Sequence, residues 1–211
     1  GGLLYVVDTM NNRVQVIDRT GKVRRVLGEL GTANGRFLRP AGVAVNPPTG
    51  TTFVSDAGND RVQQFSAAGS YVKTIVPADG FRRPAGLVFT DRHLFVVDGG
   101  KARVAVFDID GKPVATFGEG TLVAPRGICT DNRGQLYVAD PGAGCVFIYN
   151  LGGVPQGRIS GPELNRPFSV AWHPDGQLVV ADPETNALAL YRVTPAGQPS
   201  AAMPATPVRP R

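Results

Sequence analysis

The chain has 211 residues, 42% of them hydrophobic, enough to bury a sizeable core, yet nowhere do they approach the ~18 uninterrupted apolar residues of a membrane span. Gly 27 and Pro 18 exceed what an α/β enzyme uses and suit many short strands joined by turns. The formal charge of +5, carried by 18 arginines and only 4 lysines, admits an anionic partner, although solubility and structural ion pairs are the favoured account of it.

In chain order, the first apolar run is Leu4–Asp8, followed by a run ending at Ile17, the turn residue Gly21 and a third run beyond it. A loop rich in Gly and Asn, Gly28–Phe37, leads to Pro40-Ala-Gly42 and the short run Val43–Val45. The same sequence of events then repeats. Runs closed by aspartate recur at Phe53–Asp56, Leu94–Asp98, Leu136–Asp140 and Leu178–Asp182, so the aspartates stand 48, 42, 42 and 42 residues apart. A fixed period of this size marks a solenoid, a propeller or an array.

Other landmarks keep the same time. Six residues before each Asp stands Gly2, Gly50, Gly134 or Gly176, with Arg92 as the exception. Nine residues after it stands Ile17, Phe65, Phe107, Tyr149 or Tyr191. A later glycine follows at Gly21, Gly69, Gly111, Gly153 and Gly197. Between units, Pro40, Pro84, Pro125 and Pro167 each precede a small residue by two. The short runs are rich in Val, Ile, Leu, Phe and Tyr and show no helical stripe. Each unit therefore reads as four antiparallel strands: a after the proline, b ending at the Asp, c starting about five residues later, and d after the second glycine. Four strands in ~40–45 residues is one blade of a β-propeller. The six extra residues of the first interval fall in Gly28–Phe37, a surface loop where insertion costs little.

The stretch Gly31–Val45, followed by Phe53–Asp56 and Asn59-Asp-Arg61-Val-Gln-Gln-Phe65, resembles NHL repeats, and so does Asp8-Thr-Met-Asn-Asn12-Arg13-Val-Gln-Val-Ile17. The resemblance covers residues 2–193. It weakens in the last two units, where Cys145 and Ala187 replace the arginine. It implies a propeller, commonly six-bladed, but not one activity; a monomeric, non-catalytic binding or scaffold module is expected rather than an enzyme. It leans toward an extracytoplasmic or secreted bacterial setting.

On this reading the first unit lacks strand a, and residues 1–193 form an incomplete propeller of about five blades. Residues 194–211, with Pro195, Pro199, Pro204, Pro207 and Pro210, are expected to be a flexible tail, leaving the fifth blade without strand d. The chain then reads as part of a six-bladed ring. It opens on Gly-Gly with no basic start and apolar stretch, so any signal peptide is expected to be absent or already removed.

Three groups of residues carry candidate chemistry. The pairs Asp8/Arg13, Asp56/Arg61 and Asp98/Arg103 flank the b–c turn and are expected to be structural ion pairs. Arg39, Arg83, Arg126 and Arg166 stand beside the inter-blade prolines, on the loops that share one face with the b–c turns. Together with Asn12, Asp60 and Lys101 they are the candidate binding surface for a protein or acidic peptide. Single-stranded RNA is the less favoured partner, because Tyr5, Phe53, Phe95, Phe107 and Tyr149 fall at core positions rather than beside the arginines. His93 and His173 lie in non-adjacent blades at opposite faces, so neither a metal nor another cofactor is expected, and a metal-dependent lyase or hydrolase would need residues from elsewhere. Cys129 and Cys145, two strands apart in one blade, are expected to be free thiols.

Overall fold

The computed structural model describes residues 2–131, 133–193 and 199–203, with the backbone alone at Ala187 and Pro199–Met203. It is an all-β propeller of five antiparallel blades. Blade 1 is β1 (Leu4–Asp8), β2 (Arg13–Ile17) and β3 (Val23–Leu27). Blade 2 is β4 (Pro40–Val45), β5 (Thr52–Asp56), β6 (Arg61–Phe65) and β7 (Tyr71–Ile75). Blade 3 is β8 (Pro84–Thr90), β9 (His93–Asp98), β10 (Arg103–Phe107) and β11 (Pro113–Phe117). Blade 4 is β12 (Ile128–Thr130), β13 (Gln135–Asp140), β14 (Cys145–Asn150) and β15 (Pro155–Ile159). Blade 5 is β16 (Ser169–His173), β17 (Gln177–Asp182), β18 (Ala187–Val193) and β19 (Pro199–Met203). Every strand b ends at its aspartate, and every strand c begins five residues later. Among the described residues blade 1 has strands b, c and d and no strand a, as expected.

Blade 5 corrects the expectation of a missing strand d. Pro199–Met203 pairs with β18 in the register Leu190↔Met203, Arg192↔Ser200 and Val193↔Pro199. The prolines do not forbid it. Pro199 occupies the first residue of the strand, where the missing N–H is tolerated, and the next four residues contain no proline. Strand d of blades 3 and 4 likewise opens on a proline, Pro113 and Pro155. The rest of the expected tail, 194–198 and 204–211, lies outside the described residues.

The chain resolves into two compact units, blades 1 to 3 (Gly1–Lys101 with Ala105–Ala115) and blades 4 and 5 with Ala102–Val104 (Thr116–Arg211). In the first, Val14 and Leu27 of blade 1 pack with Val54 and Phe65 of blade 2 around Phe37. Phe53, Val62 and Ile75 of blade 2 pack with Leu87, Leu94, Val96 and Phe107 of blade 3. In the second, Tyr137, Val146 and Ile148 of blade 4 meet Val170, Leu178, Val180 and Tyr191 of blade 5. A strand buried on both faces by neighbouring blades must be apolar at successive positions, and β13 from Leu136 to Asp140 is buried throughout.

At two of the inter-blade prolines, Pro40 and Pro125, the small residue that follows has a steric cause. A Cβ on Gly42 would lie 2.7 Å from the Ala85 carbonyl oxygen, and one on Gly127 would lie 2.9 Å from the Ser169 Cα. Strands a of neighbouring blades approach here so closely that a side chain cannot be inserted. The Ser55 hydroxyl adds a bond to the Ala85 carbonyl at 2.6 Å. Arg92, the exception among the a–b turn glycines, belongs with Asp91 to a tight hairpin in which both residues have positive φ (46° and 62°). That is the backbone of a type I′ turn.

Candidate functional site

Four of the five periodic aspartates are buried: Asp56, Asp98 and Asp140 are fully inaccessible and Asp182 nearly so. A buried carboxylate must find donors, and each finds them on the d–a loop entering its own blade, 16–18 residues upstream. Leu38 N–H donates to Asp56 Oδ1 at 2.7 Å and Arg82 N–H to Asp98 Oδ1 at 2.8 Å. Val123 and Ala124 N–H donate to Asp140 at 2.7 and 2.9 Å. Asn165 and Arg166 N–H both reach Asp182 Oδ2 at 2.7 Å. The aspartate is thus a clasp that fixes the loop carrying the candidate arginines. The link is invisible in local sequence because its donors are backbone amides.

The Asp/Arg pairs form part of the same device. Arg13 Nε donates to Asp8 Oδ2 at 2.9 Å, and Arg61 Nε to Asp56 Oδ2 at 2.8 Å. Asp8 is held below the usual carboxylate value, chiefly by Arg13 and then by Asn11. Arg61 also bonds the carbonyls of Ala33 and Arg36, and Asn59 reaches the carbonyl of Gly31. Gln63, fully buried, donates to the Arg36 carbonyl and to Asp56, and accepts from Gly35 N–H. The Gly28–Phe37 loop, expected to be a permissive surface insertion, is therefore bound to blade 2 at both its backbone and its buried Phe37. Arg103 Nη1 stands 3.9 Å from Glu119. The supporting Asn and Gln had a sequence signal: Asn11 and Asn59 lie three residues after their aspartates, Gln15 and Gln63 seven.

Asn12 and Asp60, proposed as binding residues, are engaged with the next blade. Both occupy left-handed backbone (φ 54° and 51°) at the end of the b–c turn. Asn12 Oδ1 accepts Arg39 N–H at 2.8 Å, and Asp60 Oδ1 accepts Arg83 N–H at 2.6 Å. Lys101 Nζ is held by Asp79 Oδ2 at 2.8 Å and by the Asp79 and Gly80 carbonyls.

The arginines fall into two groups. In the first unit Arg39 and Arg83 are exposed, and their guanidinium groups have no hydrogen-bond or ion-pair partner among the described residues. Both keep a left-handed backbone (φ 52° in each), which costs a non-glycine residue about 1–2 kcal/mol. In the second unit Arg126 is half-buried, and Arg166 pairs with Glu184 at 2.9 Å.

The other reactive groups are held in quiet states. Burial, reinforced by the Asp131 carboxylate, pushes the Cys129 thiol up to about 12, and burial raises Cys145 as well. Both cysteines are free. The His93 ring lies against the Asp91 carbonyl, and His173 Nδ1 lies 3.4 Å from Asp175 Oδ2. Among the described residues no group of three or more His, Cys, Asp or Glu is placed to hold a metal ion, and no helix is long and apolar enough to cross a membrane.

The NHL repeat model matches residues 37–65, the stretch from buried Phe37 to the end of β6. The chain is 28% identical over 117 residues to Protein brain tumor of Drosophila melanogaster, across 54% of this chain and 11% of that protein. It is 30% identical over 121 residues to B-box type zinc finger protein ncl-1 of Caenorhabditis elegans, across 51% of this chain and 13% of that protein. The chain spans only about a tenth of the length of these curated relatives. Among solved structures, a chain of a nidogen/laminin complex superposes with a TM-score of 0.78 at 19% identity, covering 95% of this chain and 74% of that one. Virginiamycin B lyase from Staphylococcus aureus superposes with a TM-score of 0.76 at 15% identity, covering 97% and 67%. At these identities the structural likeness is one of fold.

Proposed function

We propose that this chain, a β-propeller bearing an NHL repeat at residues 37–65, is a non-catalytic binding module that recognises an acidic protein or peptide segment on its d–a and b–c loops. The observation that carries the reading is the pair Arg39 and Arg83. In each, the backbone is clasped by a side chain of the preceding blade and kept in a strained conformation, while the guanidinium is exposed and without a partner among the described residues. Rigid backbone with a free planar cation is the arrangement that pairs with a carboxylate at low ordering cost. Arg82 is exposed beside Arg83 and adds to the local charge. On the other unit Arg126 and Arg166 hold the matching loop positions, where Arg166 is paired with Glu184.

The test is fluorescence anisotropy with a labelled glutamate-rich decapeptide, run beside a single-stranded oligoribonucleotide of equal charge. The peptide should bind with an affinity that falls as salt rises, and the double variant Arg39→Ala/Arg83→Ala should weaken it about tenfold or more. Binding of the oligonucleotide alone, with a steep salt slope, would replace this reading with RNA recognition. Peptide binding indifferent to both substitutions would remove the arginines from the site.

A further inference from the structure

A second site lies at the opposite end of blades 2 and 3, where the a–b turns emerge, in a cavity of about 370 Å³. Its walls are Pro47 and Pro48 of the blade 2 turn, Phe89 at the end of β8, and Ile109 of the blade 3 c–d turn. Phe89 is held rigid by stacking on Phe53, with centroids 5.6 Å apart and planes within 6°. Asn46 sits in this apolar lining at 4% exposure. Its backbone N–H and carbonyl close the turn with Thr51, Thr49 and Gly50, but its carboxamide has no hydrogen-bond partner among the described residues.

The corresponding residue of blade 4 shows that this is not a requirement of the turn. Asp131 also follows strand a and is also buried, yet its carboxylate accepts Arg133 and Gln135 N–H and the Tyr137 hydroxyl. In blade 2 the turn amide of Thr51 is served by the Thr49 hydroxyl instead, which leaves the Asn46 carboxamide to line the cavity. A primary amide offers one acceptor and two donors, the complement of a peptide group. The rim carries Asp91 and Arg92, opposite charges side by side, so it does not select for net charge.

We propose that this cavity binds a short uncharged peptide segment: Asn46 pairs with one peptide N–H and one carbonyl, and an aliphatic side chain lies among Pro47, Pro48, Phe89 and Ile109. Its size is in the range of small-ligand pockets. The site is distinct from the arginine surface, and its test does not depend on that surface.

The experiment is a ¹⁵N–¹H NMR titration of the whole chain with N-acetyl-leucine-methylamide, compared with N-acetyl-leucine methyl ester, which lacks one N–H. Shifts should be confined to residues 46–51, 89–92 and 109 and should saturate, with the ester weaker. Asn46→Ala should reduce affinity about tenfold without lowering the melting temperature, since the carboxamide bonds nothing in the fold. Ile109→Lys, which fills the mouth from a turn, should abolish binding and keeps the test decisive if Asn46→Ala fails to fold. Scattered or non-saturating shifts, or an Asn46→Ala variant that folds and binds as well as the parent, would overturn the proposal.

Discussion

Asp56 in blade 2 and Asp140 in blade 4 occupy the same position, are equally buried, and are satisfied by different means. Asp56 receives one upstream amide and three side chains, Asn59, Arg61 and Gln63. Asp140 receives four backbone amides, those of Val123, Ala124, Gly142 and Ala143. What is shared is a carboxylate that cannot be left unmet once the blades close over it. The arginine is one solution, and in blade 2 it also bonds the carbonyls of the long loop before the blade. Where backbone amides fill the carboxylate, the arginine position is free to hold Cys145, which is why the repeat pattern weakens there without loss of the fold.

The comparison predicts effects of graded size. Asp140→Asn should be the most damaging, because its amide group sets donors against backbone donors in a closed space. A loss of about 3 kcal/mol or more is expected in urea denaturation; a loss below about 1 kcal/mol would show that the clasp is dispensable. Arg61→Ala should cost about 2–3 kcal/mol, because the side chain is only 12% exposed and its removal takes the cation from buried Asp56 and one donor each from the Ala33 and Arg36 carbonyls. At the matching position, Cys145→Ala should cost at most about 1 kcal/mol. Equal losses at the two positions would break the distinction between the blades.

The smallest effect is expected at Asp8, where Arg13 and Asp8 are both partly open to solvent. Its folded carboxyl lies below the unfolded value, so its contribution is complete above about pH 4 and fades as pH falls through the lowered value. In a carbon-detected NMR titration, Arg13→Ala should move the Asp8 midpoint upward with little change in stability. No movement would assign the lowering to Asn11 and Gln15 instead.

Much of the blade plan was legible because it is local. Strand b must stop where a polar residue turns the chain, and strand c must restart after a fixed hairpin, so spacing alone placed β1 to β18. Strand β19 was missed because proline was read as a breaker, although Pro113 and Pro155 already showed proline opening strand d. The site was less legible. Arg39 and Arg83 stand out by their repetition beside the prolines, whereas nothing local signals that the Asn12 and Asp60 side chains close on the loop entering the next blade.

By itself the sequence determined five blades, strands β1 to β18 and the aspartate that closes each strand b, because these follow from periodicity and side-chain polarity along one hairpin. Only the tertiary structure decided which donors each carboxylate receives, that the Gly28–Phe37 loop is fastened to blade 2, and which cations are left without partners. Those outcomes depend on groups 16–28 residues apart meeting when blades pack. Backbone amides, which carry no sequence signature, supply much of the bonding.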